Sequence, residues 1–261
     1  EGAPSNPLTM SGDQLKLMIQ RYSTLIELAQ DFVYTAKTYG RIIISERFME
    51  KKTILPISIG GQAGGEKYIV QNILFKFAVD SNNMYKGDFA AAKVAGLELK
   101  GSIAYFNVMR DQDLRLPMIA LVDYFGFRLI AISLLPIGDG TLVYGTCDAG
   151  KTIYATDERF NEMMKQASVR LNLASHQCGS GLRPNEKNSS AYLHSAADLE
   201  GHLGRDGQYY LLDFSRTMPP CPPDKELPSS HLYRLFRTEF VGKYPVPLCS
   251  DGFSGFLRAS P

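Results

Sequence analysis

The sequence lacks the features that would place it in a membrane or along a polyanion. No apolar run approaches the ~18 residues that a bilayer-spanning helix needs. The first seven residues contain no basic segment followed by an apolar one, so we expect no signal peptide and a flexible lead-in over residues 1–12. The 28 Lys and Arg residues nearly balance the 27 Asp and Glu residues, giving a formal net charge of +1. This balance argues against a protein that coats nucleic acid, although it is compatible with a local basic patch.

The sequence is also poor in cysteine, and its cysteines follow no familiar metal-binding spacing. The four are Cys147, Cys178, Cys221 and Cys249. None belongs to a C-x-x-C pair, which argues against a zinc ribbon. Because we expect no secretory signal, we interpret them as reduced thiols of a cytosolic protein that act as small hydrophobic residues.

The 261 residues are 44% hydrophobic and 21% charged, as in globular proteins, and suffice for one large domain or two small ones. Apolar residues spaced three and four apart predict helices over 13–38, 88–108, 157–173 and 231–241. Segments rich in β-branched residues predict strands over 41–48, 53–59, 68–79, 117–124, 127–135 and 209–214, with a short pair near 141–145 and 151–155. Turn-rich composition predicts a mobile loop over 180–190 and an extended connection over 218–230.

This order of elements predicts an α+β fold with two lobes. Residues 13–137 are expected to form a helix and an antiparallel sheet, and residues 138–261 a mainly helical, loop-rich lobe. The elements do not alternate as they do in a doubly wound sheet, and the chain contains no internal repeat.

The order of polar residues near position 200 indicates phosphate chemistry. Asp198 lies in a polar loop, His202 follows four positions later, and an apolar strand then ends at Asp213 and Phe214. This order resembles the catalytic loop and metal-binding strand of protein-kinase-like enzymes. Phosphoryl transfer needs one carboxylate to orient the attacking hydroxyl and another, at a strand end, to hold Mg²⁺. We therefore predict Asp198 as the base and Asp213 and His202 as metal ligands, with ATP and Mg²⁺ as cofactors.

Two departures from that pattern affect the prediction of catalysis but not that of nucleotide binding. His202 stands where such enzymes usually carry asparagine, lies one residue early, and has an imidazole that prefers metals softer than Mg²⁺. Ser215 replaces the glycine that usually follows Asp-Phe. These changes leave phosphoryl transfer open while sparing nucleotide binding.

The first lobe supplies candidates for the other half of a nucleotide site. Lys76 lies within a predicted strand, as a phosphate-contacting lysine would, and Glu98 on the next helix is its candidate partner because a buried lysine needs a carboxylate. Leu134 and Leu135 lie at the predicted crossover that would cradle the nucleotide. Alternatively, Lys76 protects a sheet edge and Glu98 is a solvated helix residue. The glycine-rich segment 60–65 is interpreted as a turn, since a kinase-like phosphate loop would lie between the first two strands.

RNA contact would call for basic and aromatic residues on one surface. The candidates are Arg205, Tyr209, Tyr210, Arg216, Tyr233, Arg234, Phe236 and Arg237. Solvation of the surface and packing of the core explain the same residues.

Several separated segments together resemble the CLU domain of the clustered mitochondria family. They are residues 90–101, 118–137, 142–146, 198–220 and 232–241, within a stretch of about 60–250. The resemblance implies a cytosolic domain of proteins that affect mitochondrial distribution and associate with messenger RNAs and translating ribosomes. The family supplies no established catalytic residues, so the kinase-like comparison rests on residue order alone. Three functions stay open: an RNA- or protein-associated module with or without a nucleotide, an active ATP- and Mg²⁺-dependent phosphotransferase, and a structural interaction domain.

Overall fold

The computed structural model describes residues 11–58, 64–110, 112–179 and 189–257. Residues 1–10 of the predicted lead-in, most of the glycine-rich segment and most of the 180–190 loop lie outside these residues. In chain order the helices and strands are α1 (Gly12–Ser45), β1 (Lys67–Val70), β2 (Ile73–Phe77), α2 (Asp88–Val108), β3 (Leu114–Arg115), β4 (Ile119–Tyr124), β5 (Phe127–Ser133), β6 (Leu142–Gly145), β7 (Tyr154–Ala155), α3 (Glu158–Leu171), β8 (His176–Gly179), β9 (Ser190–Leu193), β10 (Glu200–Leu203), β11 (Tyr209–Leu212) and α4 (Thr238–Lys243).

Helix α1 begins where the sequence predicts and ends later. The side chain of Ser11 accepts a hydrogen bond from the backbone N–H of Gln14, and the Gln14 side chain accepts one from the N–H of Ser11, which completes a capping box. The predicted strand over 41–48 is wrong because the helix continues to Ser45. Ile43 extends the apolar stripe of the helix into a buried cluster, and this burial outweighs the β-propensity of consecutive isoleucines.

The first sheet has the order β1-β2-β5-β4, with all neighbours antiparallel. The hairpin of β4 and β5 confirms the predicted pair and turns at Phe125 and Gly126, both with positive φ. The predicted strand over 68–79 is two strands, because Gln71 and Asn72 also adopt positive φ and form a tight turn. The predicted strand over 53–59 is wrong: its described part, 53–58, forms only an isolated bridge.

The second sheet has the order β3-β11-β10-β6-β7, in which β3 and β11 are parallel and the other neighbours antiparallel. Strands β8 and β9 form a separate two-stranded ribbon. Residues 138–261 therefore do not form the mainly helical lobe that the sequence predicts, since β6 to β11 all lie there beside α3 and the short α4. Short strands with few alternating residues escape detection by periodicity.

The predicted helix over 231–241 is also wrong. The chain there makes a 3₁₀ turn at Ser230–Leu232, an extended piece, and then α4. The extended piece pairs with the proline-rich connection: Leu235 bridges Pro220, and Cys221 donates its N–H to the carbonyl of Arg234. The prolines lack N–H groups, so the connection meets its hydrogen-bonding needs through this bridge rather than through a sheet.

Two clusters of buried apolar side chains hold the fold. One lies between α1 and the first sheet, and the other joins α2, α3 and the second sheet. The predicted boundary between two lobes near residue 137 stays a prediction. Strand β3 precedes this position and pairs with β11 beyond it, so the second sheet contains residues from both sides of the boundary. Among the described residues, no helix combines the length and apolarity that crossing a membrane requires.

Candidate functional site

A cleft of about 360 Å³ is enclosed by the first sheet, α2 and the end of the β10–β11 hairpin. One wall is apolar and includes Ala78, Val79, Val94, Ala95 and Ile130. The remaining lining carries charge from Lys67, Lys76, Glu98, Asp198, Glu200, Asp213 and Arg216. An enclosure of this size with one apolar wall and a few convergent polar groups is typical of a small-molecule site.

The β1–β2 hairpin brings two lysines to the cleft. Lys67 and Lys76 lie directly opposite each other in the antiparallel register, so their side chains share one face of the sheet. Burial lowers the pKa of Lys67, and the charge of Lys76 lowers it further, while Asp213 opposes both effects. A concentration of positive charge at this point favours an anion beside the hairpin.

Helix α2 contributes Glu98, which is buried. Burial raises the pKa of Glu98 to about 8, Asp213 adds to the rise, and Lys76 opposes it. The carboxyl is therefore mostly protonated at neutral pH. In the described part of the chain no ion pair within 4 Å joins Glu98 to Lys76, and the charge of Lys76 acts on the carboxyl by lowering its pKa.

Asp213 follows the last residue of β11 and adopts a left-handed conformation with φ of 62°. Phe214 packs into the core against Tyr105, with ring centroids 5.8 Å apart, while Asp213 lines the cleft. Gly101 of α2 permits this arrangement, because a Cβ there would lie 2.2 Å from the carbonyl oxygen of Phe214. Burial raises the pKa of Asp213 to about 6; Lys76 lowers it, and the charge of Glu200 raises it.

Asp198 is held by an arginine. The two carboxylate oxygens of Asp198 accept hydrogen bonds from Nε and Nη2 of Arg216 at 2.6 and 2.8 Å. The buried Arg216 also donates to Asp251 at 2.7 Å. Burial alone would lower the pKa of Arg216, but the two carboxylates raise it well above the usual range. Both oxygens of Asp198 are thus engaged by a permanent cation.

Of the residues predicted for a site, Lys76, Glu98, Asp198 and Asp213 line this one cleft. The other three are not among its lining residues. His202 is buried on β10, where Nδ1 lies 2.9 Å from the hydroxyl of Thr141 and Nε2 lies 3.3 Å from a carboxylate oxygen of Glu200. Leu134 is 42% exposed, and its N–H donates to the carbonyl of Asn72; Leu135 follows it. The assigned roles of all seven stay predictions.

The sequence analysis missed Lys67 and Glu200 as lining residues. The signal for Lys67 was the turn at Gln71 and Asn72, since a two-residue hairpin there sets Lys67 opposite Lys76. The signal for Glu200 was its place at the start of the strand that pairs with the Asp213 strand, because Glu200 faces Leu212 in that register.

Most of the residues considered for RNA contact are engaged within the fold. Arg216 and Arg234 are ion-paired, and Tyr210 and Tyr233 are buried. Tyr209 donates its hydroxyl to Asp157. Arg205 and Arg237 are exposed, as is expected of any globular surface.

Comparison with known proteins gives consistent matches. A family model described as clustered mitochondria (CLU) matches residues 6–222. The chain is 29% identical over 208 residues to the protein clueless of Drosophila persimilis, a match covering 77% of this chain and 14% of that protein. It is 32% identical over 178 residues to a clustered mitochondria protein homolog of Caenorhabditis elegans, covering 64% of this chain and 14% of that protein. The matched stretch is thus about one seventh of the length of each of these relatives. No solved structure gives a significant match.

Proposed function

This chain belongs to the clustered mitochondria (CLU) family, and from that premise and its cleft we propose that it binds a nucleotide with Mg²⁺ within a larger protein that controls mitochondrial distribution. The observation that carries the nucleotide proposal is the convergence of Lys67, Lys76, Glu98 and Asp213 on one cleft that also has apolar lining residues.

The charges of the cleft complement a metal-bound phosphate. Burial and Glu200 make the ionised form of Asp213 unfavourable, and a divalent cation beside that carboxylate would reverse the effect. The phosphates on such a cation would meet the lysines of the β1–β2 hairpin, relieving their mutual repulsion. The apolar side chains that line the same cleft suit the flat face of a base.

The order of elements supports a kinase-like scaffold. The lysine strand β2 is followed by α2 with its glutamate, and the β4–β5 hairpin then returns so that β5 lies beside β2. A second hairpin, β10–β11, ends at Asp213. Protein kinases use a lysine on a central strand, a glutamate on the following helix and an aspartate after a later strand for the same nucleotide contacts.

Active phosphoryl transfer is the second candidate, supported by the presence of both Asp198 and Asp213 along the cleft. In that function Asp198 would orient the attacking hydroxyl and Asp213 would hold Mg²⁺. Arg216 engages both oxygens of Asp198, and His202 is engaged by Thr141 and Glu200. We therefore expect the chain to bind a nucleotide but to transfer its phosphoryl group only slowly.

Association with messenger RNA or ribosomes, and a cytoplasmic location, are proposed from the family alone. The basic and aromatic residues first considered for RNA contact are mostly engaged in the fold. The matches cover only 14% of each relative, so we propose that the rest of a larger protein supplies those contacts.

The test is the thermal unfolding midpoint with and without Mg²⁺ and ATP, for wild type, Asp213→Asn and the exposed control Asp139→Asn. A ligand at ~100 times its Kd adds about 2.7 kcal/mol, which for a domain of this size is roughly 5–10 °C. We expect that shift in wild type and Asp139→Asn and its loss in Asp213→Asn. Absence of a shift in wild type would overturn the nucleotide proposal, and rapid ADP formation would favour the phosphotransferase.

A further inference from the structure

A second group of polar side chains lies outside the nucleotide cleft. The ligand atoms of His176, Cys178 and Asp251 all lie within 4.8 Å of one another, and all three residues are buried. We call this group the buried triad. His176 and Cys178 occupy alternate positions of β8, so they project from the same face of the strand. Cys249 lies two residues before Asp251 in the chain.

The geometry of the buried triad resembles a metal site more than a packed core. Nε2 of His176 lies 2.8 Å from Oδ2 of Asp251, and Sγ of Cys178 lies 3.6 Å from the same oxygen. Tetrahedral zinc, with bonds of about 2.0 Å to nitrogen or oxygen and about 2.3 Å to sulfur, sets such ligand atoms about 3.3–3.6 Å apart. The sulfur–oxygen distance already fits, and the nitrogen–oxygen distance would need to lengthen by roughly 0.5 Å.

The surroundings orient the ligands as zinc sites require. Nδ1 of His176 lies 3.2 Å from the carbonyl oxygen of Ala174, which can only accept, so Nδ1 donates to that oxygen. Nε2 faces the triad and donates to Asp251, and a metal ion would have to displace this Nε2 proton. The outer hydrogen bond of Nδ1 is the usual device that fixes the tautomer of a metal-binding histidine. Asp251 is held by the N–H of Ala197 on one oxygen and by Arg216 on the other.

The charges of the group also suit a divalent cation. Asp251 is ion-paired with His176 at 2.8 Å and with Arg216 at 2.7 Å, so it is present as a carboxylate. Zinc binding would release the two thiol protons and the Nε2 proton of His176 to solvent. Two thiolates, one carboxylate and a neutral imidazole would then leave the zinc site at −1, next to the positive Arg216.

We propose that the buried triad binds one structural zinc ion, with the Cys249 thiolate as the fourth ligand. The ion would join β8 to the segment that carries Cys249 and Asp251. Through the N–H of Ala197 and the guanidinium of Arg216, it would also fix the loop that carries Asp198. Because the triad is buried, zinc would enter as the chain folds, and chelation would require unfolding. This inference does not depend on nucleotide binding.

The experiment measures zinc in the full chain, purified with a reductant after expression in zinc-supplemented medium and dialysed against a weak chelator. We expect about one zinc per chain in wild type and in the control Cys221→Ser, and background metal in Cys178→Ser. A wild type without zinc, also after refolding with zinc, would overturn the proposal and identify the triad as a hydrogen-bonded ion pair. Full zinc content in Cys178→Ser would overturn it equally.

A second measurement avoids any variant of the triad that fails to fold. In the C147S/C221S double variant the only thiols left are Cys178 and Cys249. Refolding this chain with Co²⁺ in place of zinc should give the near-ultraviolet absorption of thiolate-to-cobalt charge transfer and the visible bands of a tetrahedral ion. A spectrum of hydrated Co²⁺ alone would disprove the site, whether or not nucleotide binds the cleft.

Discussion

Asp213 and Asp251 are two buried aspartates whose surroundings shift the pKa of the carboxyl in opposite directions. Asp251 is met by the N–H of Ala197, the His176 ring and the Arg216 guanidinium, which together lower its pKa although burial would raise it. Asp213 is surrounded by other carboxylates and by Lys76, and its pKa rises to about 6, chiefly through burial.

The difference separates a structural charge from a charge reserved for a ligand. A buried ionised group that has its donors stabilises the geometry around it, whereas one without them costs free energy in the unliganded state. Strained electrostatics of this kind concentrate at binding and catalytic sites. Asp251 therefore stabilises the structure around it, whereas we propose that Asp213 belongs to a site that a cation and an anion complete.

The largest expected effect comes from removing the cation that connects the two regions. Arg216→Met leaves Asp251 without one of its donors and releases Asp198, so we expect a loss of about 3–5 kcal/mol in the free energy of unfolding, or roughly 6–20 °C in Tm. Arg115→Met is the control, because Arg115 pairs with Asp113 while both side chains are about half exposed, and such pairs contribute at most about 1 kcal/mol. Equal losses in the two variants would show that the buried Arg216 stabilises the fold no more than a half-exposed ion pair does.

A smaller effect, with a defined pH dependence, is expected on the cleft side. The pKa of Glu98 is raised to about 8 in the folded chain, so between its ordinary value and pH 8 the folded state binds more protons than the unfolded state. The free energy of unfolding must then fall as the pH rises through that interval. Asp213, raised to about 6, acts in the same direction.

Glu98→Gln should remove most of this slope. We expect the variant to gain about 1–3 kcal/mol over wild type at pH 8.5 and little at pH 5.5, measured by reversible urea unfolding. Glu27→Gln on the exposed half of α1 is the matched control and should leave the slope as it is. A wild-type stability that rises with pH over the same interval would contradict the assignment of Glu98 as a buried, mostly protonated carboxyl.

The sequence predicted those parts of the fold in which local signals agree with burial. The hairpin at Gly126 and the helix with a capping box at Ser11 follow from residues adjacent in the chain. The extension of α1 could not be predicted from adjacent residues, because tertiary burial of Ile43 overrode its local preference for a strand. The split at Asn72 could not be predicted either, because positive φ at a residue other than glycine leaves only a weak signal.

The candidate site was predictable as a list of residues rather than as a geometry. Residue order alone pointed to Lys76 and Asp213, which line one cleft. The pairing of Asp198 with Arg216, and of Arg216 with Asp251, joins residues 18 and 35 positions apart, and no local pattern specifies such contacts. The buried triad was missed for a related reason: Asp251 lies 75 positions after His176 in the chain, and a search for C-x-x-C does not detect such a group.

The smallest effect on the unliganded fold is expected from Lys76→Gln, whereas the same substitution should weaken ligand binding. The attraction of Lys76 to Asp213 is offset by its repulsion from Lys67 directly opposite, so we expect the free energy of unfolding without ligand to change by less than about 1 kcal/mol. Binding should change far more, since a tenfold weaker Kd halves the stabilisation that Mg²⁺ and ATP provide at ~100 times the original Kd. Lys93→Gln, on the exposed face of α2, is the control and should keep the full ligand-induced shift. An unliganded loss above about 2 kcal/mol would show that Lys76 stabilises the fold, as Arg216 does, and an unchanged shift would remove it from the phosphate contacts.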